Sequence, residues 1–286
     1  QASPAVQREE SEGKKPESAE EKARKALVEK ATKQATLTDD ETRLLELKGK
    51  GRGLGKEERA VLDVGAVHGY EFDPALVAEV LERKPVAVLQ DLAQVERSRG
   101  VVRASGRRFR FDHHQIQEVV YGDLPVPLRE TYHGLLAEAL ERRSGAAAGD
   151  PGALDGALCA GIADHFLRGA QGSRALRYLD PGLAHLEGSG QGEEAIRLAE
   201  RALAVPSLLS PAARGRMLVR MSNLLGFLGR RQPEEAALRE AIRLAEETRD
   251  ARALTRSLGT LGGALTAVGR FDEARTHLER ALTVAR

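Results

Sequence analysis

Four groups of residues could do chemistry. The run Gly49-Lys50-Gly51-Arg52-Gly53-Leu54-Gly55-Lys56 has the composition of a loop that cradles phosphate, since glycine lets backbone N–H groups approach an anion. Its spacing departs from that chemistry. A phosphate loop keeps four residues between its first Gly and the Gly-Lys pair and follows the Lys with Ser or Thr. Here Glu57 follows Lys56, and a helical stretch precedes the run where a strand is needed. The run therefore reads as a connector. Asp112-His113-His114 suggests a metal, but neighbouring helical residues point about 100° apart and do not share one ion. Asp112 is expected to cap a helix, with His113 packed beside the preceding strand. Cys159 is the only cysteine, which excludes an internal disulfide and a cysteine-rich zinc site. It is expected to be a buried apolar residue. Serine and histidine show no nucleophile-elbow spacing. No catalytic residue, cofactor ligand or metal ligand is assigned.

The fourth group is basic. Arg97, Arg99, Arg103, Arg107, Arg108 and Arg110 crowd one window with only Glu96 opposed. They could hold phosphates of DNA, or acidic residues of a partner. The helix before them, from Pro85 to Glu96, carries Asp91 and Glu96, which repel phosphate. That favours the acidic protein partner and leaves DNA as the alternative.

These residues must be positioned by the rest of the chain. Its 286 residues suffice for two domains, or for one domain and an array. Apolar content is 41%, enough for a core, while aromatics are only 3% with no Trp, so Leu, Ala and Val must build it. That composition suits close-packed helices. A net charge of +1 gives no global attraction for nucleic acid or an acidic membrane. No run approaches the roughly 18 apolar residues of a membrane span, so a cytoplasmic location is expected.

Residues 1–36 read as a disordered or charged linker, rich in interleaved Glu and Lys. Residues 37–55 read as a helix, capped by Thr38 or Asp39, and the glycine-rich connector. Residues 56–143 begin with three helices, at Lys56–His68, after the Asp73-Pro74 cap, and from Pro85. Val101–Arg103 and Arg108–Phe111 then form a hairpin, since Phe109 and Phe111 alternate with Arg108 and Arg110. Three helices followed by a small hairpin is the order of a winged helix. Helices at His113–Tyr121 and from Pro125 or Pro127 complete this part.

Residues 153–286 repeat themselves. Gly269-Arg270-Phe271-Asp272-Glu273-Ala274 leads to Leu278, Ala281 and Leu282. About 40 residues earlier Gly229-Arg230 leads to Leu238, Ala241 and Ile242, and before that Gly192-Glu193-Glu194-Ala195 leads to Ala199, Ala202 and Leu203. The expectation is a mainly α chain with a tetratricopeptide-like α-solenoid. Its expected pairs are Ala153–Arg168 with Ser173–Leu186, Glu193–Val205 with Ala212–Leu228, and Glu234–Glu247 with Ala251–Val268. Asp272–Ala285 is the last helix. Small residues let paired helices approach, and stacked pairs leave a concave wall that suits a protein partner. The uncapped last repeat predicts a chain that continues past Arg286, and the start at Gln1 reads as a fragment.

Lys56–Leu62, Gly69–Asp73, Phe109–His113, Glu118, Tyr121, Arg129, His133, Ala163-Asp164-His165 and the Gly-Arg repeats together resemble one family. They are similar to the region after the nucleotide-binding core in bacterial signal-transduction ATPases with numerous domains (STAND), where a winged helix precedes tetratricopeptide-like repeats. The resemblance runs from near Lys56 to the end. It implies the sensor or scaffold half of a signalling ATPase. ATP and magnesium would belong to an upstream module that Gln1–Gly55 does not supply, and His113 would be a candidate contact to nucleotide phosphates in the parent protein. A non-catalytic protein-interaction module is expected, with a DNA-binding regulator as the alternative.

Overall fold

A computed structural model describes residues 54–145 and 150–286, which belong to one compact unit, residues 53–286. The linker expected over 1–36, the helix expected from residue 37 and most of the glycine run lie outside the described residues.

The first part runs helix–strand–helix–helix–strand–strand: α1 (Lys56–His68), β1 (Glu71–Phe72), α2 (Pro74–Val80), α3 (Pro85–Arg99), β2 (Val102–Ser105) and β3 (Arg108–Phe111). Asp73 caps α2 through the Ala75 N–H at 2.8 Å, and Pro74 opens the helix, where a missing N–H does no harm. The strands form one antiparallel sheet in the order β1-β3-β2. The hairpin was legible in the alternation of Phe and Arg. The third strand was not, because two residues cannot show a period. Its Phe72 pairs with Phe109 and is fully buried. The Phe72 ring lies 5.4 Å from that of Phe111, and its edge would sit 3.0 Å from a Cβ placed on Gly65 of α1. Gly65 is thus the seat that lets sheet and helix close.

Helix α4 (His114–Gly122) follows, then α5 (Val126–Ser144). Asp112 does not cap α4 as the sequence suggested. His113 holds the cap position, with no side-chain hydrogen bond to the helix end, and Asp112 is engaged by Arg103 at 2.6 Å. Helix α5 packs on both α2 and the first repeat helix. Arg142 and Arg143 near its end grip Glu79 at 2.7 and 2.9 Å, and Arg143 reaches Asp73 at 2.8 Å.

Seven helices follow the short turn at Pro151–Ala153: α6 (Gly156–Arg168), α7 (Gly172–Gly188), α8 (Gly192–Ala204), α9 (Pro211–Phe227), α10 (Arg231–Glu247), α11 (Ala251–Ala267) and α12 (Phe271–Val284). Their seams are built as composition demanded, from small and branched apolar residues. Ala195, Ala199 and Ala202 are buried on α8, Leu238 and Ala241 on α10, and Ala274 and Ala281 on α12. Cys159 is fully buried among them. Gly190, Gly229 and Gly269 all take positive φ, at 74°, 73° and 78°, in the turns before α8, α10 and α12. Glycine adopts that left-handed conformation without strain.

The first pair, α6 with α7, is the expected one, and beyond it the phase of the pairing differs from expectation. The most extensive packing joins α6 to α7, α9 to α10 and α11 to α12. The Gly-Arg turn therefore lies inside a pair, not between pairs. Its arginine has a reason to be there: Arg230 reaches back to Glu193 at 2.6 Å, and Arg270 to Glu235 at 2.7 Å. Leu278 seats its tip over Gly262 of α11 while staying 40% exposed, and Leu282 beyond it is exposed. The equivalent Leu238 and Ile242 of α10 are buried in the cluster that includes Leu258, Leu261 and Leu265 of α11.

Candidate functional site

The arginine window does not act as one patch. Arg103 is spent on Asp112, and Arg108 on Glu71 at 3.1 Å. Arg97 bonds Gln94 at 3.2 Å on its own helix. Arg107 and Arg110 are exposed at the hairpin and make no ion pair among the described residues. Arg110 lies opposite both Glu71 and Arg103 in the sheet. On α3, Val86 and Leu89 are exposed, and Asp91 is bound by Arg83 at 2.8 Å. A helix face with two exposed aliphatic residues suits protein better than a base edge. His113 is half-exposed, 3.4 Å from the Asp112 carboxylate, while the ring of His114 stacks on Tyr70 at 3.7 Å. The two histidines diverge.

Three other histidines, far apart in sequence, converge. His68 ends α1, His133 lies on α5, and His165 lies on α6. Nδ1 of His133 is 2.8 Å from Nδ1 of His165, and its Nε2 is 3.0 Å from the Tyr121 hydroxyl. Arg168 donates to that hydroxyl at 3.2 Å. Two tautomer arrangements satisfy this chain, with the protons running from Tyr121 through His133 to His165 or in the reverse direction. The His68 ring lies 6.3 Å from that of His165, and its buried Nδ1 has no hydrogen-bond partner. Burial, and then the positive charge of Arg108, lowers His68 to about 4. Burial and then Arg168 lower His133 to about 3. His165 is held well below its ordinary value, by burial and then by the other two histidines. Three imidazoles are thus kept neutral and donate or accept without charge. Asp164 answers the nearby cations: Arg201 reaches it at 2.5 Å, and Arg168 Nε at 2.9 Å in a geometry too bent for a hydrogen bond. A cleft of about 440 Å³ opens beside them, lined also by Gln117 and Glu118. Its job is to join α4, α5 and α6 through polar contacts. Of the residues on which the STAND resemblance rested, Glu118, Tyr121, His133, Asp164 and His165 meet here.

The repeats carry a second feature, a trough along α7, α9 and α11. One segment of about 240 Å³ lies over α10, with Gly215, Val219, Ala241 and Ala245 among its lining and Arg216, Arg220 and Arg256 around it. A neighbouring segment of about 400 Å³ uses Leu176 and Asp180 of α7 and shares Arg216 and Arg220. Gly215 explains the opening. A Cβ added there meets nothing nearer than the Ala241 carbonyl at 4.0 Å. The corresponding position of α7 is Leu176. Arg220 is held by Glu187 at 2.6 Å and by Asp180 at 3.2 Å. No single short motif announced this trough, because its lining comes from four helices.

No family profile matches the chain, and no characterised protein matches it in sequence. Among solved structures, the chain is similar to a Signal Transduction ATPase with Numerous Domains protein with a tetratricopeptide repeat sensor from Pyrococcus horikoshii. Identity is 13% and the TM-score 0.31, over 81% of this chain and 50% of that one. It is also similar to NprR in complex with its cognate peptide NprX, at 13% identity and a TM-score of 0.34, over 92% of this chain and 79% of that one. The chain thus spans half the length of the first of these proteins. No helix among the described residues is long and apolar enough to cross a membrane.

Proposed function

We propose that this chain is a non-catalytic protein-interaction module: a winged-helix-like unit joined to a tetratricopeptide-like array, serving as the sensor-scaffold part of a STAND-type cytoplasmic signalling protein. The array takes the partner in the trough along α7, α9 and α11, and the histidine contacts pass the strain of binding to α4 and α5. The observation that carries this reading is the trough itself, held open by Gly215 beside exposed arginines. The strand and helix order from α1 to β3 supports the winged-helix-like unit.

The test is a selection of displayed random peptides on the full chain, repeated on Gly215→Phe. The ring fills open trough, so folding should survive and far-ultraviolet circular dichroism should match the parent. Selected peptides are expected to lose at least about tenfold in affinity, or about 1.4 kcal/mol. Peptides that bind both proteins equally would remove the trough as the binding face.

Exposed Arg107 and Arg110 favour a second reading, DNA binding through the hairpin. A duplex titration across salt decides it. Binding at low salt that falls with added salt and with Arg107→Glu would support DNA, and no binding at low salt removes it.

A further inference from the structure

Two guanidinium groups stand at the same place in successive repeats. Shifting α9 by 40 residues superposes Leu218 on Leu258, Leu225 on Leu265, and Arg216 on Arg256. Both arginines are exposed and both border the trough. Neither guanidinium makes a hydrogen bond or ion pair among the described residues. Most arginines of the described residues are occupied, with Arg107, Arg110, Arg249, Arg252 and Arg275 among the other exposed ones that make no ion pair there. Arg214 donates to the Leu203 carbonyl at 2.7 Å, Arg220 is tied to Glu187, Arg243 to Glu240 and Arg270 to Glu235. An arginine left free twice, at one repeat spacing and on one face, is placed for something outside the chain.

We infer that the trough selects an extended acidic peptide segment whose two carboxylates pair with Arg216 and Arg256. This rests on the reading of the trough as the binding face. Charge complementarity names the chemistry, because a planar guanidinium matches a carboxylate with two parallel hydrogen bonds. Geometry sets the spacing. Helices α9 and α11 pack directly on one another, so their axes are about 10 Å apart. An extended chain advances about 3.3 Å per residue and alternates its side chains, so two acids that face the same trough fall about two or four residues apart. Between them the floor is apolar and shallow, at Val219, Ala241, Ala245 and Ala253, and admits small side chains. Asn223 offers an amide to the peptide backbone. The trough's own acids do not cancel the pair. Asp180 is already on Arg220, and Asp250 accepts from the Ala253 N–H at 2.9 Å as the cap of α11. A nucleic acid would also bring negative charge, but no aromatic side chain lines the trough for bases to stack on.

The experiment is a random-peptide selection on the full chain, in parallel on Arg216→Ala/Arg256→Ala and on Gly215→Phe. On the parent chain, pairs of Asp or Glu with one or three residues between them are expected to be enriched. That enrichment is expected to vanish on the double arginine variant, and each single Arg→Ala change should weaken the best synthetic peptide about tenfold, more at low salt than at high. Peptides with no excess of acids, or acid-rich peptides indifferent to both arginines, would overturn the inference. Peptides lost on Gly215→Phe but unaffected by the arginine changes would overturn the acidic specificity while leaving the trough as the binding face. Peptides indifferent to Gly215→Phe would overturn the face itself. A single-stranded oligonucleotide that displaces the peptides, and depends on the same arginines, would replace the peptide by nucleic acid.

Discussion

Gly182→Val is expected to lower stability by about 3 kcal/mol, which for a unit of this size shifts the melting temperature by roughly 10 °C. The reason is the crossing of α6 and α7. A Cβ on Gly182 would lie 2.8 Å from both the N and the Cα of Ala160 and 3.1 Å from the Cys159 carbonyl carbon. Those are backbone atoms of α6, and they cannot rotate away as a side chain can. The preceding Pro181, inside α7, removes the hydrogen bond that would reach the Arg177 carbonyl and helps the helix settle onto that contact. Gly182→Ala carries the same clash, but a helix-propensity gain of about 1 kcal/mol opposes it. Valine adds two methyl groups to the clash and stiffens χ1. Thermal melting followed by far-ultraviolet circular dichroism reads the difference, with Gly161→Ala as the control, since nothing lies within 4 Å of a Cβ there. Equal melting of Gly182→Val and the parent would mean that α6 and α7 do not meet at this point.

The second large effect is one of acidity. His68, His133 and His165 are all held neutral below their ordinary pKa, with His68 near 4 and His133 near 3. In the unfolded chain each takes up a proton near pH 6.5. Between those values the unfolded state binds more protons than the folded one, so stability rises with pH. The contribution is full above pH 6.5 and is lost as pH falls toward 4. Each histidine contributes a slope of up to about 1.4 kcal/mol per pH unit, and His68 alone amounts to about 3 kcal/mol over its window. Carboxylates titrate mostly below pH 5, so urea midpoints between pH 6.5 and 5 isolate the histidines. His68→Phe should reduce the slope by about one proton. A stability that stays flat across that window would mean the three rings are not buried together.

Much of the helical order could be read from residues. Alanine and leucine spacings in Glu194–Leu203 and Leu238–Leu244 mark helices because one face of each must be dry. Gly-Arg and Asp-Pro pairs marked their ends. The phase of pairing was harder to see, since Ala241 and Ala281 show that a helix is contacted without saying by which neighbour. That depends on which apolar faces meet, and the accompanying ion pairs of Arg230 with Glu193 and Arg270 with Glu235 reach across more than 30 residues. β1 escaped because it is two residues long and defined only by its partner Phe109. The histidine cluster escaped for the same kind of reason. Positions 68, 133 and 165 share no local pattern, and only packing of α1, α5 and α6 brings them together. The trough is legible after the fact: Gly215 stands where the preceding repeat has Leu176, a missing side chain that becomes meaningful once α10 is placed beneath it.

The left-handed glycines at 190, 229 and 269 also constrain how such a chain can vary. Each sets the direction in which the next helix departs. Adding or deleting a single residue inside a paired helix would turn the rest of that helix about 100° on its axis and swing charged side chains into the alanine seams. The links between helices absorb such changes instead, as the different links at Ala204–Pro211 and Glu247–Ala251 show. Gain or loss of an entire forty-residue block leaves every helix facing as before, so the array can also lengthen or shorten by whole modules.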